Sequence, residues 1–198
     1  MKKTILLVAL LVANLAAWAQ DDIRVRYQGA KPTITDLAWA FCDYMDNLEE
    51  TGDRPSNAIM SAMIQQRKGI PQEEGETFII DEKNGYILYE RVDDSYVNRM
   101  EMCYWNEADG KHKLFADSRW SFENGKPILG QYDELCFCRY DNATKMMSRC
   151  NTPGFDVEYF DKSYALPRTG KDITVTTWDK NGKKTQKTLK WNGHGFSY

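Results

Sequence analysis

Apolar positions along the chain recur first at helical spacing and later in alternation. In "TITDLAWAFCDYMDNLEE" (33–50), Ile34, Leu37, Phe41, Tyr44 or Met45, and Leu48 fall three or four residues apart. That spacing predicts a helix with one buried stripe, and Asp43, Asp46 and Asn47 mark its wet side. Thr33 and Asp36 fit a capping pair, because a hydroxyl and a carboxylate three residues on satisfy the free N–H groups of a first turn. "TGDRP" (51–55) interrupts the pattern, since the residue before a proline is pushed out of the helical region. Ser56 then caps a second helix to about Lys68, with Ile59, Met63 and Ile64 inward and Gly69 as its stop.

From residue 76 the period drops to two. Asn-Gly stands at 84–85, 124–125, 181–182 and 192–193, and Asp-Gly at 109–110. Asn and Gly tolerate positive φ, so these pairs favour the tight turns that match strand twist. "TFIIDEKNGYILYER", "MCYWNEADGKHKLFA", "WSFENGKPIL" and "ITVTTWDKNGKKTQKTLKW" read as hairpins on these corners. "CFCRYDNATKMMSRC" reads as another, turning at Asn142-Ala143-Thr144. Phe155, Val157 and Tyr159 alternate with acids and predict one more strand, and "ALPRTGKD" (165–172) a loop before the last hairpin. The expected fold is α+β: one or two N-terminal helices packed on a twisted, mainly antiparallel meander of roughly seven to ten strands. This element order is loosely similar to cystatin-like or nuclear-transport-factor-like folds, in which a curved sheet wraps a helix. The similarity concerns element order alone, so no site residue is carried over.

The first residues change the picture of address. Lys2 and Lys3, the apolar run Ile5 to Ala17, and Ala17-Trp18-Ala19 have the three-part pattern of a cleaved secretory signal. The run is short for a bilayer core of about 30 Å. Residues 1–19 are therefore expected to be a signal peptide and 20–198 one domain, placed in a bacterial periplasm or outside the cell. Cleavage takes two lysines from a chain of net charge −3, leaving −5. An acidic balance argues against nucleic acid, whose phosphates require a basic face. No later stretch is long and apolar enough for a transmembrane segment.

Five cysteines are the next chemistry to weigh. With a three-residue tip at 142–144, Cys136 faces Cys150 across the hairpin, within disulfide reach. In an oxidising compartment that bridge would close a loop of about 15 residues and add about 3 kcal/mol. The alternative is five small buried apolar residues. Cys136 and Cys138 lie on one strand face, too far apart to bridge and without the helix N-terminus that makes a reactive thiol. Only His112 and His194 could join them around a metal, and no paired C-x-x-C occurs, so no metal site and no cofactor is expected.

Catalytic motifs are equally scarce. There is no G-x-S-x-G and no glycine-rich phosphate loop. Trp105, Trp178 and Trp191 stand beside turns and are the candidate ligand contacts, against a competing role in core packing. The expected function is an exported, non-catalytic binding or structural module that engages a peptide, a glycan or an envelope protein. Two alternatives remain open: a small envelope hydrolase using paired carboxylates, and a carrier of apolar ligands in the concavity of the sheet.

Overall fold

The change of period at residue 76 becomes a change of layer. The computed structural model describes residues 22–48, 55–128, 134–158 and 161–198. The expected signal peptide lies outside the described residues. A short strand β1 (Ile23–Arg24) precedes helices α1 (Ile34–Leu48) and α2 (Pro55–Arg67). Thr33 and Asp36 cap α1 as expected: the Thr33 N–H donates to Asp36 Oδ2 at 2.8 Å, and the Asp36 N–H donates to Thr33 Oγ1 at 3.3 Å. On α2, Ile59 and Met63 are fully buried, but Ile64 is 38% exposed. Adjacent helix residues diverge by about 100°, so Met63 and Ile64 do not share the inward face.

All the strands that follow pair antiparallel. They are β2 (Glu76–Asp81), β3 (Tyr86–Asp93), β4 (Tyr96–Asn106), β5 (His112–Glu123), β6 (Lys126–Ile128), β7 (Glu134–Asp141) and β8 (Met146–Cys150). With β1 they form an eight-stranded sheet ordered β1-β8-β7-β5-β4-β3-β2, and β6 pairs with β5. Asn124 and Gly125 both hold positive φ, 51° and 74°, at the β5–β6 corner. Strands β3 and β4 meet at Asp94 (φ 50°), a corner without glycine that the sequence pattern does not announce. A separate four-stranded sheet holds β9 (Lys162–Ala165), β10 (Ile173–Trp178), β11 (Lys184–Trp191) and β12 (Phe196–Ser197), ordered β12-β11-β10-β9.

The protein is thus α+β and mostly sheet, with twelve strands in two sheets among the described residues rather than one meander, and with a strand ahead of the helices. The large sheet is covered on both faces. Ile34, Leu37 and Phe41 of α1 and Ile59 and Met63 of α2 share a core with Ile87, Met102, Phe115, Cys138 and Tyr140. On the opposite face, Trp105, Leu114, Trp120 and Phe137 pack with Tyr164, Ile173, Val175 and Leu189 of the small sheet. Strand alternation explains the division, since Leu114 and Phe115 must point to opposite faces. The strand expected around Phe155 and Val157 does not form. Residues 151–158 are irregular, and both side chains, half-buried, pack against the aromatic core instead. Tyr159 lies outside the described residues. Among the described residues no helix is long and apolar enough to cross a membrane.

The expected Cys136–Cys150 bridge is corrected by register. The β7–β8 connection has four residues, 142–145, and not three. Asp141 Oδ1 accepts from the N–H groups of Ala143 (2.6 Å) and Thr144 (3.2 Å), and Lys145 turns the chain at φ 60°. The extra residue pairs Cys150 with Phe137 and Cys138 with Arg149. A one-residue slip moves a side chain to the other face of the sheet. Cys136 accordingly lies under the helices and Cys150 on the side of the small sheet, and all five cysteines are free thiols. Burial pushes the Cys138 thiol up to about 12 and raises Cys42, Cys103, Cys136 and Cys150 as well, which favours the protonated thiol at each.

Candidate functional site: the cleft between the sheets

The small sheet turns only one face to the core. Tyr164, Ile173, Val175 and Leu189 are buried there, so the intervening residues Ser163, Thr174, Thr176, Trp178, Lys184 and Gln186 occupy its other face. That second face forms one wall of a cleft of about 410 Å³, and Glu90, Val97, Arg99 and Phe122 from the end of the large sheet form the other. Its volume is within the range of small-ligand sites, roughly 300–1,000 Å³.

The chemistry of the two walls differs. Thr174, Thr176, Ser163 and Gln186 offer hydroxyls and an amide, with Gln186 Nε2 donating to Thr176 Oγ1 at 3.2 Å. Opposite them the charges are already matched: Arg99 Nε donates to Glu90 Oε2 at 2.6 Å. Trp178 and Phe122 meet at one end, with ring centroids 6.1 Å apart. Lys184 pairs directly with Trp178 across β10 and β11 and carries its amine 5.6 Å from the indole centroid. The Trp178 residue is 7% exposed, yet its Nε1–H is buried with no hydrogen-bond partner. A buried donor left unpaired costs about 1–3 kcal/mol, so such groups are few in folded chains.

The other two candidate tryptophans are brought together elsewhere. Trp105 and Trp191 lie 5.9 Å apart, and Phe196 packs on both, at 5.1 and 5.0 Å. Trp105 is 4% exposed and donates its Nε1–H to the Lys171 carbonyl at 2.8 Å, which accounts for its polar group within the core. Trp191 is half-buried on the same cluster. Of the three, only Trp178 lines the cleft. Phe122, Thr174, Thr176, Lys184 and Gln186 were not singled out from sequence. Their one legible trace is the run "TVTTW" (174–178), where polar residues alternate into an aromatic.

Two clusters place three metal-ligand atoms within 4.8 Å of one another: Glu107–Asp109–His112 and Asp117–Glu134–Cys136. Both have partners already present, although Asp117 Oδ1 makes no hydrogen bond. Glu107 accepts from Arg139 at 2.7 Å and Asp109 from His112 Nδ1 at 2.5 Å, which holds the Asp109 carboxyl down to about 2. Asp117 is bound by Arg119 at 2.6 Å and Glu134 lies 3.6 Å from Arg149, so two cations neutralise the two acids. Two further hollows at the start of α1 share Arg26, Thr35, Asp36 and Arg67, with basic and acidic groups in balance. No family model, curated protein or solved structure matches this chain.

Proposed function

We propose that this chain is an exported, non-catalytic binding module of the bacterial envelope, periplasmic or secreted, whose ligand seats in the cleft between the two sheets. The observation that carries the reading is a cleft of about 410 Å³ lined by hydroxyl, amide and aromatic side chains, among them Trp178, whose indole N–H is buried and has no hydrogen-bond partner. A ligand acceptor is one partner that removes its cost. The hydroxyl and amide groups of Thr174, Thr176 and Gln186 suit a hydrophilic ligand, which keeps a glycan, a peptide or a segment of an envelope protein in view. The element order of cystatin-like and nuclear-transport-factor-like folds enters this reading only for the helix-covered face. Export rests on the pattern of residues 1–19.

The experiment pairs a glycan array and a peptide array with a variant that fills the cleft. Thr176→Arg places a long side chain on the cleft wall without touching the core. Expected is binding without turnover by the native chain, lost in the variant at unchanged thermal stability. Binding that survives Thr176→Arg would remove the cleft from the proposal. Turnover that disappears on substituting a single Asp or Glu would favour the hydrolase alternative. Intact mass of the secreted chain, expected to lack residues 1–19, checks the address.

A further inference from the structure

We infer that the cleft takes an acidic saccharide, with a ligand carboxylate held at the Lys184–Trp178 end and ring hydroxyls along Thr174, Thr176 and Gln186. This rests on the proposed reading that the cleft is the binding site, and it names the ligand class.

The donors at that end are what carry it. Lys184 makes no ion pair among the described residues, and its amine lies beside an indole whose own N–H lacks an acceptor. Two unmatched donors belong to this one cross-strand pair, where the acid on the facing wall, Glu90, is already bound to Arg99. A carboxylate answers both, because charge-assisted hydrogen bonds are about twice as strong as neutral ones. Lys184 is exposed, so its amine is open to an incoming anion.

The surrounding field has the same sign. Lys180, Lys183, Lys184 and Lys190 stand on the β10–β11 hairpin against Asp179 alone, in a chain whose net charge is −3, while Lys187 pairs with Val175 on the other face. Asp179 Oδ1 is turned onto the backbone N–H groups of Asn181 (2.8 Å) and Lys183 (2.9 Å). A local basic excess in an acidic protein draws anionic ligands toward that hairpin and away from the rest of the surface.

A saccharide is favoured over a peptide because the cleft presents a sheet face, and the edge strand beside it, β9, is tied to the large sheet: the Tyr164 carbonyl accepts from Ser118 Oγ at 2.6 Å and the Leu166 N–H, just past the strand, donates to Glu101 at 3.0 Å. β10 is paired on both sides, with β9 and with β11, so its backbone groups are spent within the sheet. An extended peptide gains its affinity largely from main-chain bonds to a free edge, and that mode is closed here. Sugar hydroxyls need only side-chain partners. The Thr176 hydroxyl accepts from Gln186 and keeps its own proton to donate, while the Gln186 carbonyl remains available as an acceptor. Val97 and Phe122 supply apolar surface for the C–H face of a pyranose ring.

The test titrates the full chain with a galacturonic acid trisaccharide, its fully methyl-esterified form, and an acidic peptide of equal charge. Expected is measurable binding of the acid, weakened about 10- to 100-fold by esterification, the range for losing a charged hydrogen bond. Lys184→Gln should bring the affinity for the acid down to that of the ester, and Trp178→Phe should weaken it about 10-fold while keeping the ring. If acid and ester bind equally in the cleft, as judged by loss in Thr176→Arg, the carboxylate seat is wrong and the cleft stands. If the acidic peptide binds there more tightly than the trisaccharide, the ligand class is wrong. Binding indifferent to Thr176→Arg defeats the cleft itself, and no binding by any of the three probes defeats the saccharide assignment.

Discussion

Asp117 and Glu101 are buried acids on adjacent strands of the same sheet, one register step apart, and they point to opposite faces. Met102 pairs with Asp117, and Glu101 pairs with Ser118. On the side of the small sheet, Glu101 accepts from the Tyr86 hydroxyl at 2.7 Å and from the Leu166 N–H at 3.0 Å, so both its oxygens are used. On the helix side, Asp117 is fully buried and holds Arg119 through Oδ2, while Oδ1 and Arg119 Nη2 have no hydrogen-bond partner. Burial raises both carboxyls, Asp117 to about 6. Neutral donors satisfy one acid completely; a charged partner satisfies the other in part. Glu101 therefore ties two layers together, because Leu166 follows β9, whereas Asp117 and Arg119 are bonded to each other within a single strand. Both faces are held by apolar packing, and they differ in how each buries its acid.

The largest expected effect comes from breaking the charged pair. Arg119→Met leaves Asp117 without its cation in a site closed to water, and chemical denaturation should show a loss of about 3–5 kcal/mol. Adding Asp117→Leu removes the stranded charge, and the double variant should recover most of that loss. Equal stability of the single and double variants would show that Asp117 has another partner that matters more than Arg119.

Glu101→Ala should cost about 2 kcal/mol, since the Tyr86 hydroxyl and the Leu166 N–H both lose their acceptor. Its effect should also be local to the second layer. Hydrogen exchange is expected to speed up at β9 and β10 while β7 keeps its protection. Uniform acceleration through both sheets would mean that Glu101 supports the whole fold and no particular contact.

A pH titration sharpens the comparison at smaller amplitude. The Asp117 carboxyl is raised from 3.8 to about 6, so the folded chain takes up its proton before the unfolded chain does. The cost of burying the charge is fully present above pH 6 and is relieved as pH falls toward 3.8. Linkage puts the whole effect on the order of 3 kcal/mol and the gain between pH 7 and pH 5 near 1 kcal/mol. The raised carboxyl of Glu101 acts with the same sign. Asp81, Asp109 and Asp141 have lowered pKa values and act in the opposite sense, but only below about pH 4. Urea midpoints should therefore rise from pH 7 to pH 5 in the native chain, with a visibly shallower rise in Asp117→Asn.

Local features of this fold were legible from residues alone, and features made by distant strands were not. The helical stripe of α1 and its Thr33–Asp36 cap depend on neighbours three or four apart. The Asn-Gly and Asp-Gly corners depend on the φ preferences of two residues. The cleft instead needs Glu90, Phe122 and Thr176 from three strands in two sheets, and only Trp178 pointed toward it. The buried pair did leave a trace, for "FADSRW" (115–120) sets opposite charges two apart among apolar residues on both faces. Strand alternation turns such a pair inward whenever both faces are covered, and turn signals alone do not separate the small sheet that covers the second face from a single meander.

The cysteines show how far one residue of turn length carries. Three residues at the tip would set Cys136 against Cys150; four set Cys150 against Phe137 and part the two sulfurs by the thickness of the sheet. Substitutions at the two positions should then be independent. Cys136→Ala removes a sulfur from the helix-side core and should cost about 1 kcal/mol, and half-buried Cys150→Ala should cost less. The coupling energy of the double variant should lie within about 0.5 kcal/mol of zero, as for residues without shared partners. A disulfide would behave quite differently: either single substitution would cost about 3 kcal/mol, and the second would add almost nothing. A thiol count on the denatured, unreduced chain gives the same discrimination by chemistry. Five reactive thiols fit the four-residue turn, while three would require the β7–β8 hairpin to be slipped by one residue.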